Sequence, residues 1–332
     1  MNRIIIIISL IMTMITTTTS AAVKASYDIV PLPASVSMQK GEPFMLSSAT
    51  RIVYTGSDEA MKRNAKFLAD YLDQTTDIKL STNAASGKAQ KNAITLCTDS
   101  KMGKEAYRIS VDKKGIVITG GSAKGVFYGI QTLRKSVPVG EQTDCIELSP
   151  VRIADQPRFG YRGMMLDCSR HFFTVDFIKK YLDLMAMHNM NVFHWHLTDD
   201  QGWRIEIKKY PRLTSIGSKR SGTIVGFNSM VDDQREYGGF YTQDQARDIV
   251  EYARQRYITV IPEIDMPGHM KAALAAYPEL GCTGGPYEVG HRWGIYLDVL
   301  CLGNEKIYAF CEDVLKELSD IFPSEFVHIG GD

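Results

Sequence analysis

The chain has 332 residues, with 38 Lys and Arg against 38 Asp and Glu and a 44% hydrophobic content. That length supports a sizeable core and, on a soft prior, about two domains. The balanced charge leaves no basic footprint for nucleic acid, so polymeric acids are poor partners while neutral sugars or peptides stay open.

The first residues differ from all that follow. Asn2-Arg3 gives a short positive end, Ile4 to Ile15 is apolar except for Ser9 and Thr13, and Thr16 to Ala22 is small. This is the pattern of a secretory signal peptide over residues 1–22, which makes the chain an exported one, periplasmic or secreted. The apolar run is short for a bilayer core of about 30 Å, so no membrane span is expected once it is removed. Six cysteines, at 97, 145, 168, 282, 301 and 311, are too few for a disulfide-built scaffold. Cys282 and Cys301 flank a Gly/Pro-rich segment and offer a staple for a loop, whereas Cys168 and Cys311 sit in apolar settings that suit buried thiols.

Residues 23–155 read as a small, non-catalytic α+β domain. Strands are expected at Arg51 to Tyr54, Ala93 to Leu96, Tyr107 to Val111 and Gly115 to Ile118, with helices over Glu59 to Leu72 and Ala123 to Val137. Asn83 to Asn92 reads as a polar loop. Gly120-Gly121 lacks the Gly-Lys-Ser/Thr ending of a phosphate loop and reads as a strand-to-helix turn.

From residue 156 the rhythm changes to strand, loop, helix. Strands are expected at Tyr161 to Leu166, Asn191 to Leu197, Tyr257 to Ile264 and Phe326 to Ile329. Helices are expected over Val175 to His188, Gln243 to Arg256 (with Thr242 as N-cap), Lys271 to Tyr277 and Asn304 to Ile321. A Gly-, Ser- and Tyr-rich insertion, 210–241, suits the mouth of a cleft. Repeated β-loop-α units imply parallel strands with right-handed crossovers. Four of them with polar tips fit the N-terminal part of a (β/α)8 TIM barrel, an α/β fold that normally needs roughly 250 residues. The barrel over 156–332 is therefore expected to be incomplete. A doubly wound open sheet is the runner-up, and its Gly-rich nucleotide turn is missing.

The polar groups collected at the strand tips are Arg170, Asp199, Asp200, Asp265, His269 and Asp332. Carboxylates, an arginine and a histidine at one barrel face suit general acid/base work on a neutral polyol. An arginine fork holds paired hydroxyls, exposed tryptophans pack on a sugar's apolar face, and an aspartate beside a histidine fixes its tautomer. The rival chemistry is metal-assisted: His194 and His196 share one strand face, as a zinc-binding pair does.

Taken together, these motifs resemble the β-N-acetylhexosaminidases of glycoside hydrolase family 20. The resemblance rests on Arg162-Gly163, Leu166-Asp167, Ser169-Arg170-His171-Phe172, the run His194 to Arg204, the run Pro262 to His269, and His328-Ile329-Gly330-Gly331-Asp332. It implies an exo-acting enzyme that removes terminal N-acetylhexosamine from β-linked glycans, with no cofactor and no metal. It gives Arg170 the sugar hydroxyls, makes Asp199 and His269 a pair that tunes the general acid, and lets Asp332 orient the substrate's 2-acetamido group. The implied mechanism is substrate-assisted retention, an exception to the two-carboxylate scheme. In the family a Glu follows Gly-Gly-Asp as general acid; this chain ends at Asp332, so the polypeptide as given is expected to lack turnover. The alternatives from other classes are a metal-dependent TIM-barrel hydrolase and a non-catalytic amino-sugar-binding homologue. The choice between glucosamine and galactosamine, and the oligomeric state, are not legible.

Overall fold

The computed structural model describes residues 22–56, 58–85, 90–140, 143–226 and 229–332. The expected leader lies outside them apart from Ala22. No helix among the described residues is long and apolar enough to cross a membrane.

In the N-terminal domain seven strands form a mixed sheet. Its order is Ser35–Met38, Val151–Asp155, Tyr107–Asp112, Gly115–Gly120, Ala93–Thr98, Arg51–Thr55 and Ser81–Ala85. The last of these corrects the sequence reading, which put Asn83 in a loop. Its residues, Ser, Thr, Asn and two alanines, pair in parallel with Arg51–Thr55, on one side only among the described residues, and such an edge strand is held by backbone partners rather than an apolar face. Two helices pack on the sheet. Glu59–Thr75 buries Met61, Ala65, Leu68 and Leu72 at helical spacing, and the Asp58 carboxylate caps it by accepting from Ala60 N. Ala123–Ser136 is capped by Ser122 and is buried on most sides.

The second domain begins with strand β1 (Gly163–Asp167), helix α1 (Val175–Met187) and strand β2 (Val192–Asp199). Helix α2 (Gln243–Arg254), strand β3 (Thr259–Ile264), a short helix Lys271–Ala276 and helix α3 (Lys306–Ile321) follow. β1 and β3 both pair with β2 in parallel, placing Asp167 opposite His196 and His196 opposite Glu263. Alternation then sorts the side chains. Phe193, Trp195 and Leu197 are buried, with Trp195 against the rings of Tyr241 and Phe322; His194 and His196 turn to the opposite side, onto Glu263.

The fourth expected strand is less regular than the sequence suggested. His328 alone bridges to Glu263, supported by hydrogen bonds from His328 N to Pro262 O (3.0 Å) and from Ile264 N to His328 O (3.1 Å). Among the described residues it has a ladder partner on one side only, which leaves half its backbone groups without a template. The parallel direction still carries Gly330-Gly331-Asp332 to the same end of the sheet as the other tips.

The two domains share a packed boundary. Arg162 pairs with Glu105 at 3.0 Å, donates to Tyr128 Oη at 2.7 Å and to Asn189 O at 2.6 Å. Phe127 and Tyr257 place their rings 5.2 Å apart.

Candidate active site

At the carboxyl ends of these strands the chain assembles a buried charge network. Asp199, at the end of β2, is 1% exposed; the backbone N–H of Asp200 donates to its Oδ1 at 2.7 Å, and three side chains approach it as well. Arg170 Nη2 reaches its Oδ2 at 2.7 Å, His196 Nε2 approaches the same oxygen at 3.0 Å, and His269 Nδ1 lies 3.1 Å from Oδ1. Arg170 is held from its other side by Asp167, its guanidinium 3.0 Å from Oδ2. The Asp167 carboxylate also accepts from the backbone N–H groups of Ser169 and Arg170, so the turn after β1 aims the arginine. A guanidinium between two carboxylates has a fixed plane and presents its remaining donors in one direction.

His269 is set by an unusual backbone. Its φ of +52° lies in the left-handed region, sparsely used by non-glycine residues and found where a site holds a side chain in place. Nδ1 lies 2.9 Å from Asp200 Oδ2 as well as near Asp199, and Nε2 faces Asp332 Oδ2 at 3.7 Å. Burial pulls the imidazole pKa down, but the charges of Asp199 and Asp200 outweigh it and raise it. Asp200 is itself pushed up by burial and by Asp199. Asp265 is pushed to about 6 by burial and then by the charge of Asp332, so it carries a proton part of the time near neutrality. Asp332 is the open member of the set, with its side chain 82% exposed.

Beneath this layer His194, His196 and His328 surround Glu263. Its Oε2 lies 2.5 Å from His194 Nε2 and 2.7 Å from His196 Nδ1, and its Oε1 lies 3.1 Å from His328 Nδ1. Burial raises the Glu263 pKa, yet bonds to His194 and His196 reverse the sign and hold it well below the carboxylate range. Burial likewise lowers His196, while Asp199 and Glu263 carry it up to about 9. With both ring nitrogens donating, the 3.2 Å approach of Arg170 Nη1 to His196 Nε2 is a contact between two cations bridged by Asp199. His194, Glu263 and His328 offer one atom each to an ion, which gives the metal reading a third and a fourth residue the sequence had not supplied. The carboxylate oxygens, however, are already occupied by the imidazoles.

The loop after β2 is shaped from within by Arg204, which is fully buried and donates to the carbonyls of Ser169, Ser218 and Gly239 at 2.6 to 3.1 Å. Gly202 is required there: a Cβ at this position would lie 2.2 Å from the Arg204 guanidinium.

Of the residues expected at the site, the structure brings Arg170, Asp199 and His269 into direct contact and sets Asp332 at the rim. The tryptophans of the β2 motif are a correction. Trp195 and Trp203 are 0% and 1% exposed and form core, Trp203 giving its indole N–H to Ile205 O at 2.7 Å, so neither meets a sugar. The exposed indole is Trp293, 65% accessible, its ring 5.1 Å from the Arg170 guanidinium. Sequence reasoning passed over it because it lies in a stretch without periodicity. Glu263 and Asp167 were visible within motifs, but the strand register is what sets Glu263 on His196, and the turn after β1 is what sets Asp167 on Arg170.

Carboxylates, an arginine and a histidine gathered at the tips of parallel strands suit acid/base chemistry on a neutral polyol. A family model described as "Glycosyl hydrolase family 20, catalytic domain" matches residues 159–332, and one described as "Glycosyl hydrolase family 20, domain 2" matches 26–156. The chain is 45% identical over 312 residues to a beta-hexosaminidase of Porphyromonas gingivalis, covering 92% of this chain and 38% of that protein. A beta-N-acetylhexosaminidase of Cellulomonas fimi is 35% identical, with 92% and 59% covered. Among solved structures, the GH20 beta-N-acetylhexosaminidase of Streptomyces coelicolor A3(2) superimposes with a TM-score of 0.79 at 35% identity, covering 92% of this chain and 60% of that one. A mutant Streptomyces plicatus beta-hexosaminidase in complex with its product GlcNAc gives 0.80 at 36%, with 92% and 59% covered. The chain belongs to glycosyl hydrolase family 20. It spans less than two thirds of the length of these relatives.

Proposed function

We propose that the chain is the N-terminal domain and the first barrel strands of an exo-acting β-N-acetylhexosaminidase that removes terminal GlcNAc or GalNAc from β-linked glycans. The observation that carries this reading is the contact set Arg170–Asp199–His269, with Asp332 3.7 Å from His269, in a chain whose family relatives are beta-hexosaminidases. Arg170, fixed by Asp167 and Asp199, donates to sugar hydroxyls. Asp332 accepts from the acetamido N–H and faces the positive charge that develops on that group. The acetamido oxygen then attacks the anomeric carbon while the leaving oxygen takes a proton, giving an oxazolinium ion; water reopens it with retention. Holding the internal nucleophile beside its target replaces a bimolecular step, an effect worth up to about 7–11 kcal/mol. His269, tied to Asp199 and Asp200, tunes the acid.

The proton donor that the resemblance places next to Asp332 is the group to look for in the full-length protein. The leader-like residues 1–22 support export to the periplasm or beyond. The test is a chromogenic β-N-acetylglucosaminide assayed with this chain and with one extended to the length of its relatives. Turnover by the extended form alone supports the reading. Saccharide binding without turnover in both forms would favour the non-catalytic homologue. Stoichiometric zinc with chelator-sensitive turnover would favour the metal-dependent hydrolase.

A further inference from the structure

Two loops meet beside the Arg170 site. The one between β2 and α2 carries Ser221, Gly222 and Asp232, and the one after the short helix Lys271–Ala276 carries His291. Ser221 follows a two-residue strand, Lys219–Arg220, paired with Tyr237–Gly238. Beyond it Ile224 and Asp232 form an antiparallel bridge, Thr223 N donates to Asp233 Oδ1 at 2.8 Å, and Ile224 N donates to His291 O at 3.2 Å. Main-chain bonds therefore fix the three segments on one another, and their side chains meet in a set geometry.

Within that frame Ser221 Oγ lies 3.1 Å from His291 Nε2, and His291 Nδ1 lies 2.9 Å from Asp232 Oδ2. The other carboxylate oxygen, Oδ1, accepts from Gln234 N at 2.7 Å. That bond and the imidazole hold the Asp232 carboxyl below its ordinary pKa, so it faces the ring as an anion. An anion at Nδ1 draws the ring proton there and leaves the Nε2 lone pair for the serine O–H. Among the described residues no other imidazole has a serine hydroxyl on one nitrogen and a carboxylate on the other; His194, His196, His269 and His328 meet carboxylates. Gly222 has no room for a side chain, because a Cβ would run into the Asp232 carboxylate. Its N–H, the next after Ser221, meets no backbone acceptor among the described residues. Ser221 is exposed, and the imidazole borders two hollows. One, of about 310 Å³, is shared with Arg170, Thr223 and Trp293; the other, of about 610 Å³, is shared with Tyr287 and Tyr296. Volumes of this order take small molecules.

We propose that Ser221, His291 and Asp232 form a second catalytic centre, a serine esterase acting on short-chain carboxylic esters. Ser221 Oγ attacks the ester carbonyl carbon while its proton passes to His291 Nε2, and the N–H of Gly222 is the donor nearest in sequence to the oxyanion that forms. The adduct collapses as the bond to the alcohol oxygen breaks, and that oxygen leaves with the proton from Nε2. Water, deprotonated by the same nitrogen, then splits the acyl-serine into a carboxylic acid and the free hydroxyl. Asp232 holds the ring in the tautomer this needs. That the natural ester is an acyl group on a sugar held at Arg170 rests on the hexosaminidase reading; the triad does not.

The test supplies p-nitrophenyl acetate to the 332-residue chain and to its extended form, with acid-quenched digests read by mass spectrometry. The expected result is saturable release of p-nitrophenolate and an acetyl group on the peptide carrying Ser221. Ser221→Ala should abolish that acetyl peptide and cut kcat/KM by about 10²-fold or more, with Tm within about 1 °C because the hydroxyl is exposed. Asp232→Asn, which favours the wrong tautomer, should cut the rate by about 10²-fold or more and slow labelling of Ser221 by a fluorophosphonate to the same degree. Undiminished ester turnover in Ser221→Ala, acetyl groups on lysines or on His291 with none on Ser221, or fluorophosphonate labelling no faster than in urea would overturn the inference. Esterase activity in a chain whose extended form leaves glucosaminides untouched would uphold the triad and remove only the sugar ester as its substrate.

Discussion

Each nitrogen of the His196 ring donates to a buried carboxylate, one to Asp199 and one to Glu263. Its pKa in the folded chain is about 9, above the ordinary histidine value near 6.5. A group raised in this way stabilises the fold fully below its unfolded pKa and loses that contribution as pH rises through the folded one. The shift corresponds to on the order of 3 kcal/mol. Denaturant unfolding should therefore show stability falling between about pH 6.5 and 9, and His196→Ala should flatten that dependence. The same substitution leaves Asp199 and Glu263 buried with a donor missing, a loss of about 3–5 kcal/mol in systems of this kind. Asp332 is placed by its 3.7 Å approach to His269 Nε2. In a chain extended to the relatives' length, the near-isosteric Asp332→Asn should cut kcat by about 10²-fold or more and change stability far less; a loss of folding that accounts for the lost rate would make it a structural residue. At this scale the sequence was informative where strand tips carry charge, because alternation and the turn after each strand decide which way Arg170 and Asp199 point. It was silent on Trp293, whose place depends on loop closure across residues far apart in the chain.

Helix α2 shows how much a few local bonds specify. Thr242 Oγ1 accepts from Gln245 N, and the Gln245 side chain accepts from Thr242 N, closing a capping box. Thr242→Ala should cost about 1 kcal/mol, seen as a Tm shift of about 2–4 °C. The loop after β2 depends instead on one glycine. Gly202→Ala drives a methyl into the Arg204 guanidinium, and moving that side chain releases the carbonyls of Ser169, Ser218 and Gly239. A loss of about 1–3 kcal/mol is expected from overpacking alone, with more from the unpaired carbonyls. Unchanged thermal stability would show that the loop has room to rearrange. Helices and inner strands were legible because period and capping residues agree, as at Met61, Ala65, Leu68 and Leu72. The strand Ser81–Ala85 was not, since Ser, Thr, Asn and two alanines offer no apolar stripe and what extends it is the neighbouring backbone. The segment from Phe326 to Ile329 has a strand's composition, yet a ladder needs partners, and it meets one.

Across the molecule, the α+β domain and the barrel strands meet through Arg162, which ties Glu105 and Tyr128 of one to Asn189 of the other. Nothing in the periodicity of either half announces this contact, because it depends on surfaces that come together only after each half folds. Arg162→Ala should weaken the coupling and separate a single unfolding transition into two in differential scanning calorimetry; one undivided transition would show that the Phe127–Tyr257 packing suffices. The larger claim is that this architecture delivers Arg170, Asp199, His269 and Asp332 to one amino-sugar ring whose own acetamido group does the attacking. The most direct measurement is the rate of the extended chain on aryl β-glucosaminides whose N-acetyl methyl carries zero, one, two or three fluorines. Fluorination drains electron density from the acetamido oxygen, so kcat/KM should fall with each fluorine, by more than about 100-fold over the series. A rate indifferent to fluorination would mean that a protein carboxylate or a metal-bound water supplies the nucleophile, and the account would be wrong.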